Sequence, residues 1–473
     1  MRRGLLALIG ALLLAPTAAG GGPTLALGAA EDAVRSPSLT DAKANMTLLR
    51  LAGFRAVRVT SNWSPGQTAP PATEAAVLRN VATAASLSGV RVYVSVFHPG
   101  SRTTPLTPEA RAELASYAAA LVRANPSFRD VIVGNEPNLN RFWMPQFAVD
   151  GSGASAPAYL ELLATSYDAI KAAAPGTRVF GGALAPRGVD KPNTGRDTIS
   201  PTRFIRELGA AYRASGRTTP VMDGFAFHPY LEHSSRPPDA KPFDADALGL
   251  IDYGKLVALL SEAFDGTAQQ GSTLPILYDE FGVETRVPPE QSALYSGTEP
   301  ATTRPVDEAT QARFYRRALE LAFCQQNVVG MLLFHSQDES ALAAWQAGVY
   351  DADGTAKTSL APVREALAAA RGGSVARCPG LELAIAPKVS FDLRARSINL
   401  RCNLDCVYRA RLVKLPKLST TAAKSGRLAA ETPATIGLAR NLGKGRYRLM
   451  VSLVHPVNPA APLVRRSAIL TVR

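Results

Sequence analysis

The sequence predicts an α/β protein built on a (β/α)8 TIM barrel and followed by a small all-β sandwich. Three observations carry that expectation. Short β-branched runs alternate with longer, alanine-rich stretches of helical pattern over residues 24–371. Eight runs of each kind occur, the number a closed barrel needs. Beyond residue 373 the helical pattern nearly vanishes, and alternating apolar and polar positions replace it. A doubly wound open sheet would alternate in the same way, but no strand leads into a Gly-x-Gly-x-x-Gly turn or a phosphate-binding loop.

The expected strands cover 24–27, 56–60, 90–97, 130–134, 178–183, 221–227, 275–278 and 328–334. The expected helices cover 39–52, 72–88, 107–124, 157–174, 200–215, 252–270, 306–326 and 358–371. The third helix carries a start signal, Thr107 as N-cap with Pro108 behind it. The run Val90-Arg-Val-Tyr-Val-Ser-Val is valine-rich on both faces, as buried parallel strands are. A barrel domain is therefore expected over 24–373. A separate sandwich is expected over 378–473, with strands near 381–385, 407–412 and 447–453 and turns at Gly426, at Gly443-Lys444-Gly445 and over 456–462. Leu442-Gly-Lys-Gly-Arg-Tyr447 resembles the Gly-x-Tyr approach to a late strand of immunoglobulin-like modules.

The chain has 473 residues, 46% hydrophobic and 19% charged, which excludes wholesale disorder and a collagen-like repeat. Its net charge of +13 points at first to a nucleic-acid or membrane-surface partner. Counting by segment changes that. Residues 378–473 hold 17 basic and 4 acidic residues, whereas 1–377 hold 35 of each. The basicity belongs to the tail, where Tyr408 and Tyr447 are the only aromatics after Phe391. Without interleaved aromatics, nucleic acid is not the expected partner. An anionic cell-surface polymer is. Residues 1–20 read as a signal peptide: Arg2 and Arg3, an apolar run over 5–15, and Thr17-Ala18-Ala19 as the cleavage site. That run is too short to span a bilayer, so the protein is expected to be secreted or surface-associated rather than integral to the membrane. In an oxidising compartment, Cys324, Cys378, Cys402 and Cys406 read as two disulfides. Cys402 with Cys406 and Cys324 with Cys378 is one pairing; three connectivities are open.

In such a barrel, function collects where strands end. The fourth strand runs into Gly134-Asn135-Glu136-Pro137, and the seventh into Tyr278-Asp279-Glu280-Phe281-Gly282. Two glutamates thus face one another across the barrel mouth, the pair that glycoside hydrolysis requires. Alone, Asn-Glu-Pro would be an ordinary solvated loop; the pairing gives it weight.

These motifs resemble the clan A glycoside hydrolases, a group of (β/α)8 barrels that includes families 5 and 39. The resemblance covers about 24–371 and implies hydrolysis of O-glycosidic bonds in a β-linked glycan with retained configuration. It implies Glu136 as acid/base, Asn135 as the ligand of the sugar 2-hydroxyl, and Glu280 as nucleophile. His228-Pro229-Tyr230 matches the strand-six motif whose tyrosine orients the nucleophile. Arg58 matches the arginine that keeps the nucleophile ionised, and His98 a histidine lining the subsite of the cleaved bond. Phe142 and Trp143, after Glu136, are expected to stack on a sugar. The clan usually ends strand eight with a tryptophan; Phe334-His335-Ser336 stands there, so either Trp345 of the following loop supplies the platform or the subsite is an unusual one. No metal or other cofactor is implied. The competing expectation is a catalytically silent barrel that binds carbohydrate at the cell surface.

Overall fold

The computed structural model describes residues 20–438 and 441–473; the expected signal peptide lies outside them but for Gly20. Eight parallel strands close into a barrel in sequence order. They are β1 (Ala26–Ala30), β2 (Ala56–Asn62), β3 (Arg91–Phe97), β4 (Asp130–Val133), β5 (Arg178–Leu184), β6 (Gly224–Phe227), β7 (Ile276–Phe281) and β8 (Val328–Phe334). β8 pairs with β1 from Gly330↔Ala26 to Phe334↔Ala30, which closes the ring. Eight helices surround it: α1 (Leu39–Ala52), α2 (Ala72–Ser88), α3 (Pro108–Ala124), α4 (Ser155–Ala173), α5 (Pro201–Ala214), α6 (Tyr253–Phe264), α7 (Glu308–Phe323) and α8 (Leu360–Gly372).

Two apolar layers hold the barrel. Tyr93, Ile132, Phe180, Leu277 and Leu332 fill its interior, with Tyr93 and Phe180 edge to face at 6.2 Å. Outside the sheet, valines such as Val57, Val92 and Val131 meet the apolar stripes of the helices. The side chain of Thr107 accepts the Ala110 N–H, capping α3 as the Thr-Pro signal requires.

Of the boundaries that differ from expectation, three have plain local causes. β1 starts at Ala26, because Gly22–Thr24, with Pro23, turns as a 3-10 helix. α6 stops at Phe264: Asp265 is extended, and its carboxylate accepts the N–H groups of Gly271 and Ser272 at 2.8 and 3.0 Å. β6 starts at Gly224, since the N–H groups of Val221 and Met222 go to the Gln269 side chain instead of a strand.

After the barrel come two antiparallel sheets. One has the order β13-β10-β9 and the other β12-β11-β14-β15. Their strands are β9 (Lys388–Asp392), β10 (Ser397–Arg401), β11 (Cys406–Lys414), β12 (Ser419–Leu428), β13 (Pro433–Gly437), β14 (Gly445–Val454) and β15 (Leu463–Val472). Ile398, Leu400 and Ile436 of the first meet Leu412, Leu449 and Val451 of the second in one core. The Tyr447 hydroxyl donates to the Gly443 carbonyl at 2.8 Å, a tyrosine corner of the kind immunoglobulin-like sandwiches use. Gly426 is not a turn but sits within β12, where a Cβ would stand 2.6 Å from the Tyr408 hydroxyl. The expected strand over 381–385 is reduced to one bridge, Leu383 with Pro459. Both disulfides form, Cys324–Cys378 and Cys402–Cys406. No helix among the described residues is long and apolar enough to cross a membrane.

Candidate active site

β4 delivers Asn135 and Glu136 through a tight turn. Gly134 has φ 92°, and a Cβ there would lie 2.9 Å from the Tyr159 ring, so only glycine fits. Glu136 has φ 43°, a left-handed conformation costing a residue with a side chain roughly 1–2 kcal/mol. Its N–H donates to the Ala183 carbonyl at 2.8 Å. Two residues on, buried Asn138 fixes the loop: its amide donates to the carbonyls of Ala185 and Ile199 at 3.2 and 3.0 Å and accepts the Ala185 N–H at 3.0 Å.

β7 delivers two carboxylates instead of one. Between the pairs Tyr278↔Met331 and Phe281↔Leu333 it carries one residue more than β8, a bulge. Strict alternation would send Asp279 and Glu280 to opposite faces; the bulge lets both reach Arg58. That arginine, buried on β2, contacts Glu280 through Nη1 and lies 3.5 Å from Asp279. Its Nη2 donates to Asn135 Oδ1 at 2.9 Å and to Ser95 Oγ at 3.2 Å. Burial works against its charge, but Glu280 and Asp279 outweigh burial and raise its pKa.

His228, fully buried at the end of β6, joins all three carboxylates. Nδ1 is 3.0 Å from Glu136 Oε1 and 3.6 Å from Glu280 Oε2, and Nε2 is 3.3 Å from Asp279 Oδ2. Burial disfavours the imidazolium, yet Glu280 and Asp279 reverse that and lift its pKa to about 10. The Tyr230 hydroxyl donates to Glu280 Oε2 at 3.2 Å. Burial, then the charges of Glu280 and Glu136, push that phenol well above its usual range, so it stays a donor. Asp279 is penalised by burial, but His228 and Arg58 hold its pKa below the usual value.

These groups lie at the base of a cleft of about 680 Å³ at the C-terminal ends of the strands. One wall is aromatic: Trp345 stands 5.3 Å from the Tyr230 ring and 5.1 Å from Phe334. Trp345 therefore reaches the cleft from the loop after β8, beside the strand-end position where Phe334 stands. Asn135, Arg58, Glu136, Tyr230 and Glu280 also line the cleft, with His228 beneath them.

Two expected residues are placed elsewhere. Trp143 is not on an exposed loop; it is 1% exposed, edge-on to Tyr159 at 5.9 Å and to His98 at 5.7 Å. The loop folds inward there because buried Gln146 donates to the carbonyls of Pro137 and Trp143 at 3.0 and 2.8 Å. Its neighbour Phe142 lines the cleft instead. His98 is buried behind Trp143, with Nδ1 2.9 Å from the Gly100 carbonyl, and burial lowers its pKa. It does not line the cleft either.

Sequence reading missed Asp279, Ser95 and Glu284. Asp279 had a signal, its place beside Glu280, but the bulge that turns it inward leaves no mark in composition. Glu284 lines the cleft past β7, almost buried, accepting from Ser234 Oγ at 3.3 Å; burial raises its carboxyl to about 7.

No protein-family model matches the chain, and no curated protein matches it in sequence. Solved structures do match. A family 39 glycoside hydrolase from Bacteroides cellulosilyticus WH2 is 16% identical, covering 88% of this chain and 81% of its own, with a TM-score of 0.53. A GH5_18 protein from Streptomyces cattleya, solved with GlcNAc, is 17% identical over 75% and 81%, with a TM-score of 0.51. A glucosidase from Croceicoccus marinus is 11% identical over 89% and 94%, with a TM-score of 0.50. The chain has the glycoside hydrolase barrel fold. At these identities the likeness concerns the fold, and the chemistry rests on the residues in the cleft.

Proposed function

We propose that this protein is an exported retaining glycoside hydrolase acting on a β-linked glycan. The observation that carries the proposal is the His228 bridge. Because one nitrogen lies 3.0 Å from Glu136 and 3.6 Å from Glu280, those two oxygens are at most about 6.6 Å apart (3.0 and 3.6 end to end), which favours the ~5 Å spacing of a nucleophile and its acid over the ~6.5–9.5 Å that leaves room for an inverting water.

In the first step a Glu280 oxygen attacks the anomeric carbon while Glu136 gives its proton to the departing glycosidic oxygen. The products are a glycosyl ester on Glu280 and the free aglycone. Glu136, now a carboxylate, takes a proton from water, whose oxygen attacks the same carbon and frees Glu280. Two inversions leave the configuration as it began. Arg58 and the Tyr230 hydroxyl hold Glu280 in line. With Asn135 Oδ1 occupied by Arg58, the side-chain N–H groups of Asn135 are left for the sugar. Trp345 and Phe334 offer apolar faces to the ring. The two disulfides support export, since such bonds persist in oxidising compartments.

A panel of aryl β-glycosides tests the assignment. Glu280→Gln should abolish turnover. Glu136→Gln should keep substrates with good leaving groups, lose unactivated ones by about 10²-fold or more, and regain rate with azide. Full activity of Glu136→Gln on an unactivated glycan would sink the proposal, as would binding without turnover on every substrate.

A further inference from the structure

The four-stranded sheet of the C-terminal module buries one face, through Ala410, Leu412, Leu449, Val451 and Leu453. Alternation sends Arg409 and Arg411 of β11, Arg427 of β12, Arg446 and Arg448 of β14, and Arg466 of β15 to the other face. The register sets them in adjoining rows: Val407 pairs with Arg427, Val413 with Arg448, and Met450 with both Arg411 and Arg466. The strands carry no acidic residue. Of the module's four acids, Asp405 bonds Ser374 and the Ala430 N–H, and Glu431 pairs with Arg401. None of the six arginines joins an ion pair among the described residues.

Part of the face is packed. Val413 and Met450 point outward yet are 1% and 7% exposed, as expected where arginine stems lie across them. The Nε atoms of Arg411 and Arg448 are buried and make no hydrogen bond. Like charges on strands about 4.8 Å apart repel one another, so the arrangement costs the free module stability that a bound anion returns. Tyr408 and Tyr447 lie on the inward-facing positions, leaving no aromatic on which bases stack.

We infer that this arginine face binds a polysaccharide bearing carboxylates. Guanidinium forks match carboxylates bidentately, and a two-dimensional array meets a polymer of regularly spaced charges better than a single anion. The module is fixed where α8 ends: His455 Nε2 lies 2.8 Å from the Gly372 carbonyl, and the Asn458 amide donates to those of Gly373 and Ala376, both at 2.9 Å. Barrel helices run opposite to the strands, so this anchor lies at the end away from the cleft. The array stands apart from the barrel's activity, but the choice of a polysaccharide as occupant rests on the glycosidase reading.

Affinity electrophoresis of the full chain in gels containing polygalacturonate, neutral dextran or polyphosphate tests the site, with aryl glycoside hydrolysis measured separately. Polygalacturonate should retard the protein and dextran should not. Charge reversal in Arg409→Glu/Arg427→Glu should weaken binding about tenfold or more without changing hydrolysis, and about 500 mM salt should abolish the retardation. If circular dichroism shows that variant unfolded, Arg446→Glu/Arg466→Glu provides the same reading. No retardation by polygalacturonate, undiminished binding by folded variants, or tighter binding to polyphosphate would each overturn the inference. Retardation without hydrolysis would sink only the glycosidase proposal.

Discussion

His228 is the residue on which the charge balance of the cleft turns. It faces Glu136, Glu280 and Asp279, while Arg58 neutralises the last two from the opposite side. Its pKa of about 10 makes it an imidazolium at neutral pH, and the linkage has a definite sign. A pKa raised on folding contributes stability that is complete below the unfolded value of about 6.5 and is lost as pH rises through about 10. The Tm advantage of the native chain over His228→Gln should therefore be widest near pH 6 and shrink towards pH 10. A difference independent of pH would contradict the imidazolium. At this scale the sequence was readable where a residue's chemistry and its strand-end position agree, as for Glu136, Glu280, Arg58 and Tyr230. It misled at Trp143 and His98, because a loop's direction depends on buried contacts such as those of Gln146.

At the scale of elements, the helices were the most legible. The expected span 72–88 matches α2 to the residue, and in the structure Gly89, left-handed at φ 61°, ends it. The bulge in β7 was not legible, because one extra residue changes which face a side chain takes without changing composition. The loop after β4 depends on Asn138, whose bonds tie it to the loop after β5. Asn138→Ala leaves buried carbonyls and an N–H without partners. The expected cost is roughly 2–4 kcal/mol in denaturant unfolding, together with a fall in kcat as Glu136 loses its support. Unchanged stability would show that the two loops hold their shape independently.

For the whole molecule, the barrel and the sandwich are joined at one end of the barrel by covalent and polar links. Cys324 caps α7, and its disulfide to Cys378, 54 residues on, closes the segment that carries β8 and α8. Replacing both cysteines by serine should cost about 4 kcal/mol by loop entropy, read as a lower Tm; an unchanged Tm would mean that the Asn458 and His455 bonds suffice. The +13 charge noticed in the sequence belongs to the sandwich, and the structure gathers much of it on one sheet face. The closure of the barrel was legible from eight alternating units, whereas the docking of the sandwich was not, because it runs through single side chains such as Asn458. The most direct test of the central claim is the anomeric configuration of the first product, followed by proton NMR during hydrolysis of an aryl β-glycoside that the protein turns over. The β-anomer should appear first and then mutarotate; the α-anomer appearing first would contradict a retaining mechanism built on Glu136 and Glu280.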